Sequence, residues 1–217
     1  MPRIYMYVVD RDFGFAPNPF HGICSLATCK PRIRNKAQVE DWVLGMGGKR
    51  LDATGRCIFA MKITQKVTFN EYWNTPDFRD KKPVRNGSKK MLLGDNIYSY
   101  NEITGLWTQA HSHHSFADGS PNVDNLERDT QSTNVLLSRH FYYFGSAAPF
   151  VPQRILDGLG FKNQMGHRVF NFDEGRSIIQ WIESQYGDSL NLVLADPFDF
   201  DQSEAHYSVK TNRVTVK

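Results

Sequence analysis

The sequence predicts an α+β fold, in which a small mixed β-barrel or curved sheet carries an elaborated insertion and C-terminal helices. Three observations support this prediction. Short apolar runs of strand type fill the N-terminal third, a polar segment from Asp77 to Asp124 interrupts them, and isoleucines recur at helical spacing near the C-terminus. The chain has 217 residues, 40% hydrophobic and 13% aromatic, and can therefore bury a substantial core. Its mean hydropathy of −0.50 excludes an integral membrane protein.

Four strands are predicted in the N-terminal third: Arg3 to Val9, Ile23 to Cys29, Asp41 to Met46 and Arg56 to Val67. The last is the clearest, because apolar residues occupy both of its faces, as they do near the centre of a small sheet. Thr68 and Glu71 follow it at the spacing of a capping box. They predict a short helix that ends before Pro76.

The rest of the chain is predicted to mix short strands with helices. Within the insertion, Asn96 to Tyr100 and Leu106 to Gln109 flank a turn, and the isoleucine spacing from Asp173 to Tyr186 predicts a helix. The further predicted elements are a helix from Val151 to Leu159 and strands at Val135 to Leu137, Phe141 to Phe144, Leu190 to Leu194, Tyr207 to Val209 and Arg213 to Val216. We expect one domain over residues 1–217, with a core of residues 1–150 and a packed extension of residues 151–217.

The composition indicates a cytoplasmic protein. The first ten residues have the pattern of a strand, and no apolar signal segment or transit peptide is recognisable there. Cys24, Cys29 and Cys57 lie among apolar or small residues, which predicts reduced, buried thiols. Cys24 and Cys29 could bind a metal only if distant histidines joined them. The formal net charge of +3 permits contact with nucleic acid without requiring it.

Basic residues are concentrated in the segments Lys30 to Lys36 and Lys81 to Lys90, with Lys49 and Arg50 between them. Four of them alternate along the first segment: Lys30, Arg32, Arg34 and Lys36. If this segment is extended, they project from one face, which could follow a phosphate backbone or form a solvated edge. Lys49 and Arg50 end a glycine-rich turn that is not a P-loop, because Arg50 stands where Ser or Thr is needed.

The segment from Phe15 to Pro31 is punctuated by Pro, Gly and Asn, so it predicts a loop that holds polar groups on a restricted backbone. We expect Asn18, Phe20 and His21 to contact a small ligand there. Aromatic rings elsewhere could stack on a base, and the candidates are Trp42 and Tyr142.

A histidine cluster spans His111 to Ser115. Because side chains alternate along an extended segment, at most two of its three histidines can face one metal. A third ligand from His140 or His21 would complete a site that suits iron or zinc, whereas the alternative is a polar loop that hydrogen-bonds locally. The candidate acids, bases or ligands are His113, His114, His140 and Asp95, with Asn96 as a binding candidate. The sequence has no nucleophile-elbow, metalloprotease or deaminase pattern.

Five sequence blocks lie in order between Phe15 and Gly145. They are FAPNPFHGICSLATCKP, VEDWVLGMGGKR, GRCIFAMKITQKVTFNEYW, GDNIYSY with SHHS, and LLSRHFYYFG. Through these blocks the N-terminal two-thirds of the chain resembles the nucleotide modification associated domain 2 family. The resemblance implies a domain found alongside DNA base hypermodification systems of phages and bacteria, with no established activity to carry over.

A second resemblance concerns the fold. Val39 to Leu44, followed by the predicted strand from Arg56 to Val67, is similar to the turn and strand of PUA, ASCH and EVE barrels. Glu40 stands where those families usually place glycine. This resemblance implies a PUA-like barrel whose pocket receives a flipped or modified base, with Asn18 and His21 beside it.

Two functions follow from these patterns, and a third is a non-catalytic scaffold for other base-modification enzymes. The first is a nucleic-acid or nucleotide-binding domain that reads or positions a modified base, with phosphates held by Lys30, Arg32, Lys49 and Arg50. The second is an enzyme of a base-modification pathway that acts on a nucleotide or nucleobase through a histidine-rich, metal-dependent site. The expected partners are DNA or nucleotides and other modification enzymes, not a membrane. The sequence specifies neither a cofactor nor a metal.

Overall fold

The computed structural model describes residues 1–216, which form twelve strands and six α-helices. The strands are β1 (Arg3–Val9), β2 (Cys24–Leu26), β3 (Trp42–Gly47), β4 (Cys57–Lys62), β5 (Gln65–Thr68), β6 (Tyr98–Asn101), β7 (Leu106–Gln109), β8 (Asn134–Ser138), β9 (Phe141–Tyr143), β10 (His167–Asn171), β11 (His206–Ser208) and β12 (Arg213–Thr215). The helices are α1 (Pro31–Lys36), α2 (Phe69–Asn74), α3 (Lys89–Leu92), α4 (Val123–Asp129), α5 (Gln153–Gly158) and α6 (Phe172–Tyr186). None of these helices is long and apolar enough to cross a membrane.

The chain divides into two compact units, each assembled from three separate segments. Unit 1 comprises Met1–Asp12, Ala37–Gln65 and Ser138–Phe198. Unit 2 comprises Phe13–Lys36, Lys66–Leu137 and the chain from Asp199 onward. The expectation of a single domain over the whole chain stays a prediction.

Unit 1 is built on a five-stranded sheet with the order β10-β1-β3-β4-β9. β1 and β3 are parallel and the other neighbours are antiparallel. Helix α6, predicted from the isoleucine spacing, packs against this sheet through Ile178, Ile179 and Ile182. A Cβ at Gly175 would lie 2.5 Å from Cδ1 of Ile4, so this glycine allows α6 to approach β1 closely.

Unit 2 carries the sheet β2-β8-β5 and the two hairpins β6-β7 and β11-β12. Its helix α2 begins at the predicted capping box. The Thr68 hydroxyl accepts a hydrogen bond from the Glu71 backbone N–H at 3.2 Å, and the Glu71 carboxylate accepts one from the Thr68 N–H at 2.7 Å. This prediction is confirmed, as are the positions of both hairpins.

The predicted mixture of helices and small sheets is confirmed, whereas the PUA-like barrel is not: within residues 1–216 no sheet closes into a barrel. The prediction of one strand from Arg56 to Val67 is wrong. β4 ends at Lys62 and β5 begins at Gln65, and they belong to different sheets, because the backbone turns between them. The segment from Leu190 to Leu194 forms an isolated bridge between Val193 and Tyr143 instead of a strand.

The condition under which the basic residues would share one face, an extended segment, is not met. The segment Pro31–Lys36 is helix α1, with proline at the first position, where its missing N–H is not needed. Because a helix has about 3.6 residues per turn, alternate residues point in different directions. Arg34 is fully buried while Arg32 is exposed, so the basic side chains do not share one face.

Candidate active site

Cys29 lies in a tight turn between strand β2 and helix α1. Its backbone φ is 56° and that of Lys30 is 40°, a left-handed conformation that non-glycine residues rarely adopt. Such strained positions cluster at active sites, and a strand–turn–helix with a strained residue is the geometry of a nucleophile elbow. Sequence reasoning missed it because the usual glycines are absent. Cys29 is also partly exposed, in contrast to the predicted buried thiol, while Cys24 and Cys57 are buried.

His114 lies next to this thiol. Its Nε2 is 3.9 Å from Sγ of Cys29, and its Nδ1 is 2.7 Å from Oδ2 of Asp129. The order is therefore thiol, imidazole, carboxylate, the arrangement in which an oriented histidine activates a nucleophile. All three residues belong to unit 2. His114 was a predicted site residue and stays a prediction, whereas Asp129 was not predicted.

Asp129 is held in place from several sides. It is the last residue of α4, whose first turn is capped by the Asn122 side chain. Its Oδ2 accepts a second hydrogen bond, at 2.9 Å, from the Tyr98 hydroxyl, and its Oδ1 accepts one from the Cys29 backbone N–H at 2.7 Å. A carboxylate with this many donors is fixed in orientation and stays ionised. The Cys29 N–H is consequently not available to a substrate oxygen.

Arg34 braces the turn that carries Cys29. Its guanidinium is buried and donates to the carbonyl oxygens of Cys29 at 2.8 Å, Ser132 at 2.9 Å, Asn134 at 2.7 Å, and Asp129. The planar fork of arginine suits such multiple recognition. Arg34 therefore joins α1, α4 and β8 around the thiol and is not part of an exposed basic face.

The pKa values of the neighbouring residues His113 and His114 are shifted in opposite directions. Burial would lower the pKa of His114, but the charges of Asp129 and Cys29 outweigh it and raise this pKa to about 10. Burial lowers the pKa of His113 well below its ordinary value, and the positive charge of His114 adds to that effect. Burial alone would raise the pKa of Asp129, yet His114 and Arg34 hold it below its ordinary value. The site therefore pairs an imidazolium with a carboxylate and places a neutral imidazole beside them.

His113 forms part of the wall of this site. It is 2% exposed, and its Nδ1 donates to the Ala205 carbonyl oxygen at 2.6 Å. Its ring centroid is 4.5 Å from that of Phe13 and 5.1 Å from that of Phe15, and Phe15 also contacts His114 at 4.8 Å. The predicted binding loop thus reaches the histidine pair through Phe15.

The same loop is organised around a buried ammonium group. Nζ of Lys81 donates to Oδ1 of Asn18 at 2.6 Å and to the carbonyl oxygens of Asn18, Phe20 and Ile23 at 2.9, 3.0 and 2.7 Å. Burial lowers the pKa of Lys81 to about 8. Asn18 and Phe20 are buried and occupied within the protein, whereas His21 is exposed with a φ of 62°. Of the three predicted loop contacts, His21 remains available to a ligand.

Asp95 and Asn96 lie in the core of unit 2. The Asp95 carboxylate accepts hydrogen bonds from the Ser25 hydroxyl at 2.7 Å and the Tyr72 hydroxyl at 2.8 Å, and burial raises its pKa. The Asn96 amide donates to the Tyr72 carbonyl oxygen at 2.7 Å. The carboxylate predicted for the histidine cluster is therefore supplied by Asp129 instead of Asp95.

The remaining predicted residues lie in unit 1. The His140 ring is 5.4 Å from that of Trp42, and its Nε2 is 3.8 Å from the Glu183 carboxylate. Trp42 and Tyr142 are each 3% exposed, which leaves little ring surface for a base. The two exposed basic residues of the glycine-rich turn lie on one 3₁₀ turn, Lys49–Leu51.

The site could also accommodate a metal. Cys29, His114 and Asp129 each offer a ligand atom within 4.8 Å of the others, and sulfur, imidazole nitrogen and carboxylate oxygen are the donors of zinc sites. Among residues 1–216 this group has one residue of each type, whereas the predicted set was two histidines and a carboxylate. The hydrogen bond between His114 and Asp129 and the strained turn at Cys29 favour a nucleophile.

Comparison with known proteins gives one match. The family model described as nucleotide modification associated domain 2 matches residues 1–204, which extends well beyond the blocks recognised in the sequence. No curated protein and no solved structure matches the chain.

Proposed function

The chain belongs to the nucleotide modification associated domain 2 family, and from this premise we propose that it is a cysteine-dependent enzyme acting on a nucleotide or nucleobase. The observation that carries the proposal is the alignment of Cys29, His114 and Asp129, with Cys29 on a strained, partly exposed turn. Nucleophile, base and orienting carboxylate in this order are the parts of covalent catalysis. The family match supports a nucleotide or nucleobase as the substrate, and the geometry of the site supports covalent catalysis by Cys29.

In the proposed reaction, Sγ of Cys29 bonds to an electrophilic carbon of the substrate while the bond from that carbon to its leaving group breaks. In the reactive thiolate–imidazolium pair the thiol proton already resides on Nε2 of His114, and from there it moves to the leaving group. Water or a second nucleophile then breaks the carbon–sulfur bond and gives its proton to Nε2 of His114, which restores the thiolate–imidazolium pair. Asp129 holds the imidazole and stabilises its charge throughout.

Two experiments test the proposal: alkylation of the wild-type protein, and turnover by two cysteine variants. Burial raises the pKa of Cys24 and of Cys57 to about 12, so iodoacetamide should modify Cys29 first, and peptide mass spectrometry would locate the adduct. Nucleotides and plain or hypermodified oligonucleotides would then be assayed for altered nucleosides. Cys29→Ala should abolish conversion and Cys24→Ala should retain it.

Two results would contradict the proposal. Conversion by Cys29→Ala at the wild-type rate would exclude covalent catalysis. If the purified protein holds one equivalent of tightly bound zinc and Cys29→Ala does not, the result would support a metal-dependent enzyme instead of covalent catalysis. Metal analysis of the purified protein therefore accompanies the alkylation experiment.

Binding of a nucleic acid or a modified base is the second candidate function. It is supported by exposed basic side chains on both units, among them Arg32, Lys49 and Arg50, which could contact phosphates. Fluorescence anisotropy with plain and hypermodified oligonucleotides should give salt-sensitive binding that weakens in Arg32→Ala. Absence of binding at low salt would remove this function. Association with other modification enzymes would be measured by pull-down.

A further inference from the structure

Asn125 connects helix α4 to the catalytic histidine. It lies one helical turn before Asp129, so both side chains lie on the same side of α4. Asp129 binds the His114 ring, while Nδ2 of Asn125 donates to the His114 carbonyl oxygen at 2.8 Å. Helix α4 therefore forms hydrogen bonds with both the ring and the backbone of His114.

The same amide group also forms hydrogen bonds with strand β11 and with Val209, just after that strand. Nδ2 of Asn125 also donates to the Tyr207 carbonyl oxygen at 2.5 Å, and its Oδ1 accepts from the Val209 N–H at 2.8 Å. Asn125 is 1% exposed, so its amide group is shielded from water. One side chain thus joins the histidine segment and strand β11.

Strand β11 in turn contacts both histidines. The Tyr207 N–H donates to the His113 carbonyl oxygen at 2.8 Å, and the His113 ring donates to Ala205. The Tyr207 ring lies 5.8 Å from that of His114 and stacks on His113 at 6.5 Å and 11°. Backbone and ring contacts together cover the histidine pair on this side.

We propose that Asn125 and residues 205–209 form a C-terminal clamp that positions His114 against the Cys29 thiol. Asn125 is thus a positioning residue, and the inference rests on the proposed cysteine chemistry. The family match ends at residue 204, so the strand of this clamp lies beyond it. A displacement of about 1 Å in a catalytic group can lower a rate a hundredfold. Contacts that hold His114 in place should therefore affect the reactivity of Cys29.

The titration of His114 reports its position. The groups that face it from the surrounding elements are the Asp129 carboxylate, the Cys29 thiol, the His113 and Tyr207 rings, and the more distant Arg34 and Tyr98. Asn125 carries no charge. Replacing it by an apolar residue therefore alters the titration of His114 only by moving these groups relative to one another.

The test compares Asn125→Leu with Asn70→Leu. Asn70 is a matched control, because its amide likewise bridges to a backbone, that of Tyr100, at 2.9 and 2.7 Å, without contacting the histidines. Nuclear magnetic resonance would follow the His114 imidazole against pH, and iodoacetamide would measure Cys29 alkylation. In Asn125→Leu we expect the pKa of His114 to fall by at least one unit and alkylation at pH 7 to slow at least fivefold. Asn70→Leu should leave both at the wild-type values.

A second variant keeps the test decisive if Asn125→Leu does not fold. Val209→Pro removes one N–H donor from a partly exposed residue near the chain end and should slow Cys29 alkylation by a smaller factor than Asn125→Leu does. A folded variant of either kind in which Cys29 alkylation at pH 7 proceeds at the wild-type rate would overturn the clamp. Retained conversion in Cys29→Ala would instead refute the cysteine chemistry, so the two failures are distinguishable.

Discussion

Replacing Asp129 with asparagine should return His114 to the behaviour of a buried neutral imidazole. The carboxylate is the largest of the influences that raise the pKa of His114 from 6.5 to about 10, against the opposing effect of burial. At about 1.4 kcal/mol per pKa unit, this rise corresponds to about 5 kcal/mol in favour of the charged form. In Asp129→Asn, burial still lowers the pKa of His114, but the carboxylate charge that raised it is absent. The pKa of His114 should therefore fall by at least two units.

The sign of the stability effect follows from linkage. Because the pKa of His114 in the folded protein lies above its unfolded value, its contribution is complete below pH 6.5 and is lost as the pH rises through about 10. Between pH 6.5 and 9 the wild type should lose about 3 kcal/mol of unfolding free energy through this group. Asp129→Asn should lack that loss, and urea denaturation at a series of pH values measures the difference.

Nuclear magnetic resonance of the imidazole resonances gives the direct measurement. In the wild type His114 should remain protonated from pH 5 to pH 9, while His113 remains neutral at pH 6. Asp118→Asn is the matched control, since that carboxylate is fully exposed and bonds to Ser120. A His114 that titrates near pH 6.5 in both the wild type and Asp129→Asn would refute the reasoning.

Three further variants test the packing around the site and the core. Lys81→Met should destabilise the protein by about 3 kcal/mol in urea denaturation, because four buried oxygens lose the donor that they share and two of them, the carbonyl oxygens of Phe20 and Ile23, depend on it; a loss below about 1 kcal/mol would contradict this. Gly175→Val should lower stability by about 1–3 kcal/mol, because its Cβ would meet Ile4, and an unchanged melting temperature would show that α6 can move away. Thr68→Ala should cost about 1 kcal/mol through loss of the cap of α2, whereas the same change at exposed Thr104 should cost little.

The elements predicted correctly from the sequence are those specified by neighbouring residues. The capping box at Thr68, the isoleucine spacing of α6 and the turn of the β6-β7 hairpin each depend on side chains within a few positions of one another. The errors arose where local pattern is ambiguous. Alternating basic residues suggested an extended segment, but burial of Arg34 among carbonyl oxygens stabilises a helix there.

Composition and sequence pattern alone determined a mixed α/β chain with a histidine segment of chemical interest, and the link to nucleotide modification came from the resemblance of five sequence blocks to a known family. Only the tertiary structure selected the members of the site. His114 lies 85 positions from Cys29 and 15 from Asp129, and no local pattern specifies which carboxylate will meet an imidazole. Folding brings the strained turn, the histidine segment and the end of α4 together, and burial then sets opposite pKa shifts on two adjacent histidines. Reactivity of this kind depends on distance and solvent exclusion, which arise from packing of residues far apart in the chain.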